Sequence, residues 1–356
     1  MNRAALVSRR LHNQRLSSPS CRNPVEVVRW FGAVQSQDFE AAKWALALRM
    51  RSATNGAIED AFNRGSILRI HIMRPTWHFV AHDDIRWLLE LTAPRVNLRS
   101  TPNYRKLELD DAVFTRSRKV LEKALQNGKH RSRSELRQRL NESGVEANDP
   151  IRLAHILLRA ELEGVIVSGP RIAKQFTYAL FDERVSAAEK IDRDEALAKL
   201  TRRYLRSHGP ATLADFVWWS GLNAADAKRG LEVSKRDLEQ ALVGEKVYWH
   251  VRSGETTRPS SPVAHLLPAY DEYFVAYKDR QSVFDVQDGL LGPTVIVDGT
   301  VAGTWKRTND KKSVEVKFTR AVKKTERVIV GQAVAQYGEF LGLSLNIHFG
   351  EISRRR

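Results

Sequence analysis

The sequence has a single cysteine and no long apolar run. Cys21 stands alone among 356 residues, so neither a disulfide nor a cysteine zinc cluster can form within the chain. No stretch approaches the roughly 18–20 apolar residues that span a bilayer, and the basic N-terminus lacks the apolar segment of a signal peptide. We therefore expect a soluble, cytoplasmic protein.

Acidic residues are too few to balance the basic ones. The chain has 42 Asp and Glu against 58 Lys and Arg, which gives a formal net charge of +16. This excess favours a polyanionic partner, most simply nucleic acid, although a solvated basic surface is the alternative. A Walker A loop, G-x-G-x-x-G, H-E-x-x-H and G-x-S-x-G are all missing, so nucleotide hydrolysis, dinucleotide redox chemistry and zinc proteolysis have no support. We expect no cofactor and no metal.

One order of elements recurs along the chain. Asn23 and Glu26 form a capping box that predicts a helix to about Val34, and a second helix should start near Ser36 or Asp38. A short helix near residues 56–64 and two β-rich runs follow, which is the order of a winged helix. The sequence predicts a mainly α fold with β wings, built from three tandem winged-helix units and a small β-rich C-terminal domain with one helix. The predicted boundaries are 1–105, 106–190, 191–260 and 261–356.

The segment GAVQSQDF lies between the first two predicted helices. It places Gln35 and Gln37 in the turn of a helix-turn-helix, where the next helix presents free N–H groups and a positive dipole end. The alternative is that Ser36 or Asp38 caps the helix and the glutamines are solvated turn residues.

The hairpin IHIMRPTWHFV is a second candidate site. Antiparallel pairing predicts His71 opposite His78 and Ile72 opposite Trp77. A metal site is disfavoured because the spacing matches no standard site. Two interpretations stay open: a structural hairpin with Trp77 in the core, or an edge on which His71, Arg74 and His78 face DNA.

Basic residues also gather where proteins usually bind phosphates. Arg131 and Arg133 stand at a predicted helix start, and Arg171 and Lys174 stand in the predicted second wing. Loops and helix N-termini are common phosphate-binding positions, so we expect these four residues to contact DNA.

Two N-terminal stretches carry a family resemblance. PVEVVRWFGAVQSQDFEAAKWALALR and HIMRPTWHFVAHDDIRWLLELTAPRV resemble the AlkZ/YcaQ-type winged-helix DNA glycosylases, and the likeness extends through LLPAYDEYFVAYKDR and VIVDGTVAGTWKR. The resemblance implies three winged-helix units in a C-shape around DNA. It also implies monofunctional hydrolysis of the N-glycosidic bond of N7-alkylated purines, including bulky adducts and interstrand crosslinks. The family's catalytic Q-x-Q pair falls on Gln35 and Gln37, while the residue between them, commonly aliphatic, is Ser36 here.

These observations together predict a DNA-repair glycosylase that acts as a monomer on double-stranded DNA containing alkylated bases. DNA binding would associate it with the nucleoid. The alternative is a non-enzymatic winged-helix DNA-binding protein or transcriptional regulator, although the sequence shows no heptad repeat for dimerisation.

Overall fold

The structure, a computed structural model, describes residues 1–252, 262–280 and 292–350. Three groups of elements follow one another in the same order: a helix, a short strand, two helices and an antiparallel pair of strands. In the third group the short strand is reduced to one bridge between Ala211 and Trp249. A five-stranded sheet with one long helix completes the chain. The prediction of a helical protein with small sheets is confirmed.

The first group begins with a well-capped helix. The Asn23 side chain accepts a hydrogen bond from the backbone N–H of Glu26 (3.0 Å), and Pro24 occupies the first helical position, which suits its fixed φ. This helix ends at Phe31 rather than near Val34, because Gly32 adopts a φ of +89° and Val34 joins a strand. The elements are α1 (Arg3–Asn13), α2 (Pro24–Phe31), β1 (Val34–Gln35), α3 (Phe39–Ala47), α4 (Asn55–Asn63), β2 (Ile67–Ile72), β3 (Arg74–Ala81) and α5 (Ile85–Lys106).

The register of the β2–β3 hairpin differs from the prediction. His71 lies opposite Trp77 rather than His78, and Ile72 lies opposite Arg74 rather than Trp77. The predicted pairing was wrong because one residue connects the strands and a bulge shifts the register beside it. β1 adds to the outer side of β3, which gives the order β1-β3-β2.

The second group has clear signals at its helix ends. Ser132 and Glu135 form a capping box, and Gly164, with a φ of +64°, lies just beyond the end of a helix in the left-handed conformation that favours glycine. The elements are α6 (Asp111–Leu125), β4 (Arg131–Ser132), α7 (Arg133–Glu142), α8 (Pro150–Leu162), β5 (Ile166–Ser168), β6 (Thr177–Leu180) and α9 (Phe181–Arg184).

The third group and the C-terminal sheet contain one correction. One helix was predicted in the C-terminal domain, but Asp271 caps a further, short helix that starts at Glu272. The predicted boundary between residues 260 and 261 lies outside the described residues. The elements are α10 (Arg193–His208), α11 (Leu213–Ser220), α12 (Ala224–Val233), β7 (Leu238–Val243), β8 (Lys246–Val251), β9 (Ala264–Leu267), α13 (Glu272–Val275), β10 (Thr294–Val297), β11 (Thr300–Arg307), β12 (Ser313–Phe318), α14 (Lys324–Leu341) and β13 (Asn346–Gly350).

The first hairpin is enclosed by the rest of the chain. On one side, the backbone N–H of Arg69 donates to Ser168 of β5 (2.8 Å), and that of His71 donates to Glu161 of α8 (2.8 Å). On the other side, one buried hydrophobic core continues from the first group into α10, α11 and the C-terminal sheet. The hairpin is therefore an internal element, not a free wing. No helix among the residues that the structure describes is long and apolar enough to span a membrane.

Candidate active site around the paired glutamines

The Q-x-Q segment is short extended chain rather than a simple turn. Gln35 is partly buried, Ser36 is fully buried and Gln37 is exposed, so the serine side chain points into the fold. The Asp38 carboxylate accepts a hydrogen bond from Ala41 N–H (3.0 Å) and caps α3. Of Ser36 and Asp38, the two candidate cap residues, Asp38 is the one that caps the helix.

The backbone of this segment is held by two buried charged side chains. The N–H of Gln35 donates to a carboxylate oxygen of Glu272 (2.7 Å). Arg69 donates from Nε to the carbonyl of Ser36 (3.0 Å) and from Nη2 to the carbonyl of Gln37 (3.2 Å). Charge-assisted hydrogen bonds of this kind are stronger than neutral ones, so they fix the position of both glutamines.

Aromatic contacts hold Arg69 in place. Its guanidinium lies 4.2 Å from the ring centre of Trp77 and 4.9 Å from that of Phe176. Burial lowers the pKa of Arg69 to about 10, which leaves it charged at neutral pH. Trp77 also bonds the segment through its backbone: its carbonyl accepts from Ser36 N–H (2.8 Å), and its N–H donates to Gln37 Oε1 (3.4 Å).

Glu272 is a buried carboxylate with several donors. Besides the bond from Gln35, it accepts from Trp219 Nε1 (3.0 Å) and lies 3.3 Å from His208 Nε2. Burial alone would raise the pKa of Glu272, but the hydrogen bonds from His208 and from the Gln35 N–H, together with the nearby Arg74 cation, hold it below its usual range. Burial also lowers the pKa of His208, so a neutral imidazole donating from Nε2 faces an ionised carboxylate. A fixed negative charge therefore lies directly behind Gln35.

Of the three hairpin residues expected on a DNA-facing edge, one is fully buried and two are partly buried. His78 is fully buried, and the Nε and Nη2 atoms of Arg74 are buried as well. The Nδ1 atom of His71 lies 2.5 Å from the carboxylate of Glu161 in α8. His78 is therefore not on an exposed edge, whereas DNA contact by the partly buried His71 and Arg74 stays a prediction.

The second wing contains one enclosed cation and one exposed cation. Arg171 bonds to Glu59 (2.9 Å) and Glu40 (3.3 Å), and only 9% of its side chain is exposed. It packs over the rings of Phe39 and Phe176, so it joins the wing to α3 and α4 instead of facing solvent. Lys174, three residues on, is exposed.

Arg131 and Arg133 flank the capping box of α7 and are both partly buried. Arg131 pairs with Glu135 (3.0 Å), and Arg133 donates to the carbonyl of Pro150 (2.6 Å). Both side chains therefore have partners within the protein, so they would have to leave these partners to bind a phosphate group.

Sequence reasoning missed two features. Glu272 follows an aspartate in YDEYF, and nothing local marks it as buried beside Gln35. A cationic strip runs along the outer face of α10, opposite the buried His208. The sequence contains a pattern that indicates it, because basic residues stand at i, i+3, i+4 and i+7 and therefore share one helix face. Its members are Lys199, Arg202, Arg203 and Arg206, with Arg236 and Arg252 beside them.

Carboxylates only partly balance this strip. Asp84 pairs with Arg203 (2.5 Å) and lies 3.8 Å from Lys199. Arg206 is exposed over the ring of Trp30 (4.5 Å to the ring centre), and no carboxylate in the described part of the chain pairs with it. Within those same residues, no group of three or more His, Cys, Asp or Glu is placed to hold a metal ion.

The fold and the site define a basic, mostly helical protein with one glutamine on an internal sheet and a second two residues on, at its exposed end. The family described as "DNA glycosylase AlkZ-like" matches residues 28–340, so the chain belongs to this family, and the resemblance seen in the sequence is confirmed. The chain is 24% identical over 327 residues to an interstrand DNA cross-link repair glycosylase of Streptomyces sahachiroi, covering 83% of this chain and 85% of that protein. The solved structure of Streptomyces sahachiroi DNA glycosylase AlkZ matches with a TM-score of 0.82 at 20% identity, over 98% of this chain and 100% of that one, which shows the shared fold.

Proposed function

We propose that this protein is a monofunctional DNA glycosylase that hydrolyses the N-glycosidic bond of N7-alkylated purines in duplex DNA. The observation that carries the proposal is the Q-x-Q pair, with Gln35 and Gln37 held by Arg69 and backed by the ionised Glu272. The relative from Streptomyces sahachiroi is an interstrand DNA cross-link repair glycosylase, which supports bulky adducts and interstrand crosslinks as further substrates.

The proposed chemistry suits two neutral amides. A purine alkylated at N7 is already cationic, so the electron pair of its breaking C1′–N9 bond returns to the ring and neutralises it. The sugar becomes oxocarbenium-like, and water adds its oxygen to C1′ and loses a proton to solvent. Amide oxygens of Gln35 and Gln37 would accept hydrogen bonds from this water and lie against the positive sugar. The leaving group supplies its own driving force, so no strong general acid is required.

The repeated element order supports a DNA-wrapping architecture. We assign residues 1–105, 106–190 and 191–260 to three winged-helix units and residues 261–356 to a C-terminal domain, arranged as a C-shaped monomer around DNA. The exposed Lys174 and the α10 strip would contact phosphates, with Arg131 and Arg133 as further candidates once their internal pairs open.

The direct test is single-turnover excision of N7-methylguanine from duplex DNA, read as alkali-labile sites. Gln35→Ala and Gln37→Ala should each slow excision on the order of a hundredfold or more, the scale of losing one preorganised polar group. Because both amides act on one water, the double variant should be little worse than the slower single variant. Duplex affinity should change little.

Gln240→Ala provides the matched control, because Gln240 is an exposed strand glutamine on β7. Gln37→Asp should keep partial activity, because its carboxylate oxygens can still accept a hydrogen bond from the water. Wild-type excision by both alanine variants would refute the catalytic role. Specific binding to one undamaged sequence, without excision of any alkylated purine, would instead favour a transcriptional regulator.

A further inference from the structure

Gln35 has a buried histidine directly across the sheet. Strand β1 pairs antiparallel with β3 so that Gln35 lies opposite His78. Residues opposite one another project from the same face of a sheet, with Cβ atoms about 4.5–5.5 Å apart. His78 is fully buried and Gln35 partly buried, so their side chains share an enclosed space.

The tautomer of His78 follows from its hydrogen bond. Its Nδ1 lies 2.9 Å from the carbonyl oxygen of Thr76, which can only accept, so Nδ1 carries the proton. Burial, helped by the Arg74 cation, lowers the pKa of His78 to about 3, and the opposing charge of Glu272 does not offset this. The ring is therefore neutral, and its Nε2 is a bare acceptor.

Two acceptors in this space lack donors. His78 Nε2 and Gln35 Oε1 are both buried, and no described residue donates a hydrogen bond to either. A buried acceptor without a donor costs about 1–3 kcal/mol. Turning the Gln35 carboxamide by half a turn exchanges its oxygen and nitrogen at almost no steric cost, because the two ends have the same shape.

We propose that the amide nitrogen of Gln35 donates to His78 Nε2, so that Oε1 faces outward to bound DNA and His78 acts as a positioning residue. This arrangement gives His78 Nε2 a donor and removes Oε1 from the enclosed space, so neither acceptor stays buried without a partner. It also presents the electronegative end of the amide to the water and to the positive sugar, whereas an outward NH₂ group would repel that sugar. The expected effect on excision rests on the proposed glycosylase function, whereas the hydrogen bond between Gln35 and His78 is a property of the free protein.

Two substitutions separate positioning from mere packing. In His78→Gln the side-chain oxygen reaches close to the position of Nε2 and keeps an acceptor there, whereas His78→Asn ends near Nδ1 and loses it. His78→Asn should slow single-turnover excision of N7-methylguanine on the order of a hundredfold, the scale of misplacing a reacting group by about 1 Å. His78→Gln should recover most of the rate, and duplex affinity should be the same for both. Equal rates for the two variants, at matched stability, would overturn the proposal.

A second measurement, by NMR, does not require enzymatic activity. In ¹⁵N-labelled free protein, a direct N–H···N bond gives a scalar coupling between Gln35 Nε2 and His78 Nε2, and it protects the Gln35 amide protons from exchange. Absence of both signals would overturn the proposal, because a water molecule donating to both acceptors would leave Oε1 inward and give no coupling. If the wild type excises no alkylated purine but shows the coupling, the proposed function fails and the positioning geometry stands.

Discussion

Ser36 is buried between two glutamines with its hydroxyl unpaired. Its Oγ finds no partner among the described residues, and the residue is fully buried. Because an unsatisfied buried hydroxyl costs about 1–3 kcal/mol, Ser36→Ala should raise the free energy of unfolding by about 1 kcal/mol in urea titrations. Excision should stay at the wild-type rate, since this side chain points away from the glutamines.

Ser132 serves as the opposite control for this prediction. It is also a buried serine, but its hydroxyl caps α7 and takes part in the capping box. Ser132→Ala should lower the free energy of unfolding by about 1 kcal/mol. A loss of stability in both variants would show that the Ser36 hydroxyl has a partner.

Individual site residues were predictable only in part. Gln35 and Gln37 came from the family resemblance, and the structure keeps them adjacent on one segment. The burial of His71 could not be read locally, because its partner Glu161 lies 90 residues away along the chain. Local sequence shows which residues can do chemistry, while long-range packing decides which of them face solvent.

Among the elements, the second wing gives the clearest prediction. Arg171→Ala removes the bonds to Glu59 and Glu40 and the contacts with two phenylalanine rings, so it should lower the free energy of unfolding by about 1–3 kcal/mol. Lys174→Ala, on the same loop but exposed, should change it by less than about 0.5 kcal/mol and weaken duplex binding. The reverse ranking in urea unfolding would contradict the structural role of Arg171.

The strip on α10 gives a prediction about DNA affinity. Lys199→Ala, Arg202→Ala and Arg206→Ala combined remove three positive charges from one helix face. If these side chains neutralise phosphates, the slope of log affinity against log salt should become shallower by up to about 0.9 for each lost contact. Fluorescence titrations with an undamaged duplex at several salt concentrations measure this slope.

A matched triple variant on α6 tests whether net charge alone is responsible. Arg116, Lys119 and Lys123 are exposed cations on that helix, and their combined change to alanine removes the same charge. This control should leave the slope nearly unchanged. Equal changes of the slope in both triple variants would mean that DNA affinity depends only on the total charge of the protein.

Helices were easier to predict than strand pairing. The capping pairs Ser132 with Glu135 and Thr212 with Asp215 are local signals, and both mark true helix starts. The pairing of His71 depended on a bulge, which inserts a residue without a local signature. Register is set by packing on both faces of the hairpin, so it needs the whole fold.

On the scale of the whole molecule, buried histidines couple folding to pH. Burial lowers the pKa of His78 to about 3 and that of His265 to about 4, against an ordinary value of 6.5, and it also lowers the pKa of His208. The unfolded chain therefore binds protons below about pH 6.5 while the folded chain does not. The free energy of unfolding should be greatest above that pH and should fall as the pH drops towards 4. Below about pH 4.5, Glu272 binds a proton in the unfolded chain, whereas its lowered pKa of about 2 keeps it ionised in the folded chain. The free energy of unfolding should therefore fall further in this range.

His265 offers the sharpest test of this linkage, because it lies on β9 away from the paired glutamines and both of its ring nitrogens are buried without a partner in the described residues. His265→Phe removes one linked proton, so the slope of unfolding free energy between about pH 6 and about pH 4.5 should become shallower by at most about 1.4 kcal/mol per pH unit. His348→Phe makes the same substitution at an exposed position and serves as the control for replacing the ring itself. Urea titrations at each pH measure both variants, and an unchanged slope in His265→Phe would mean that this ring takes up its proton equally in the folded and unfolded chains.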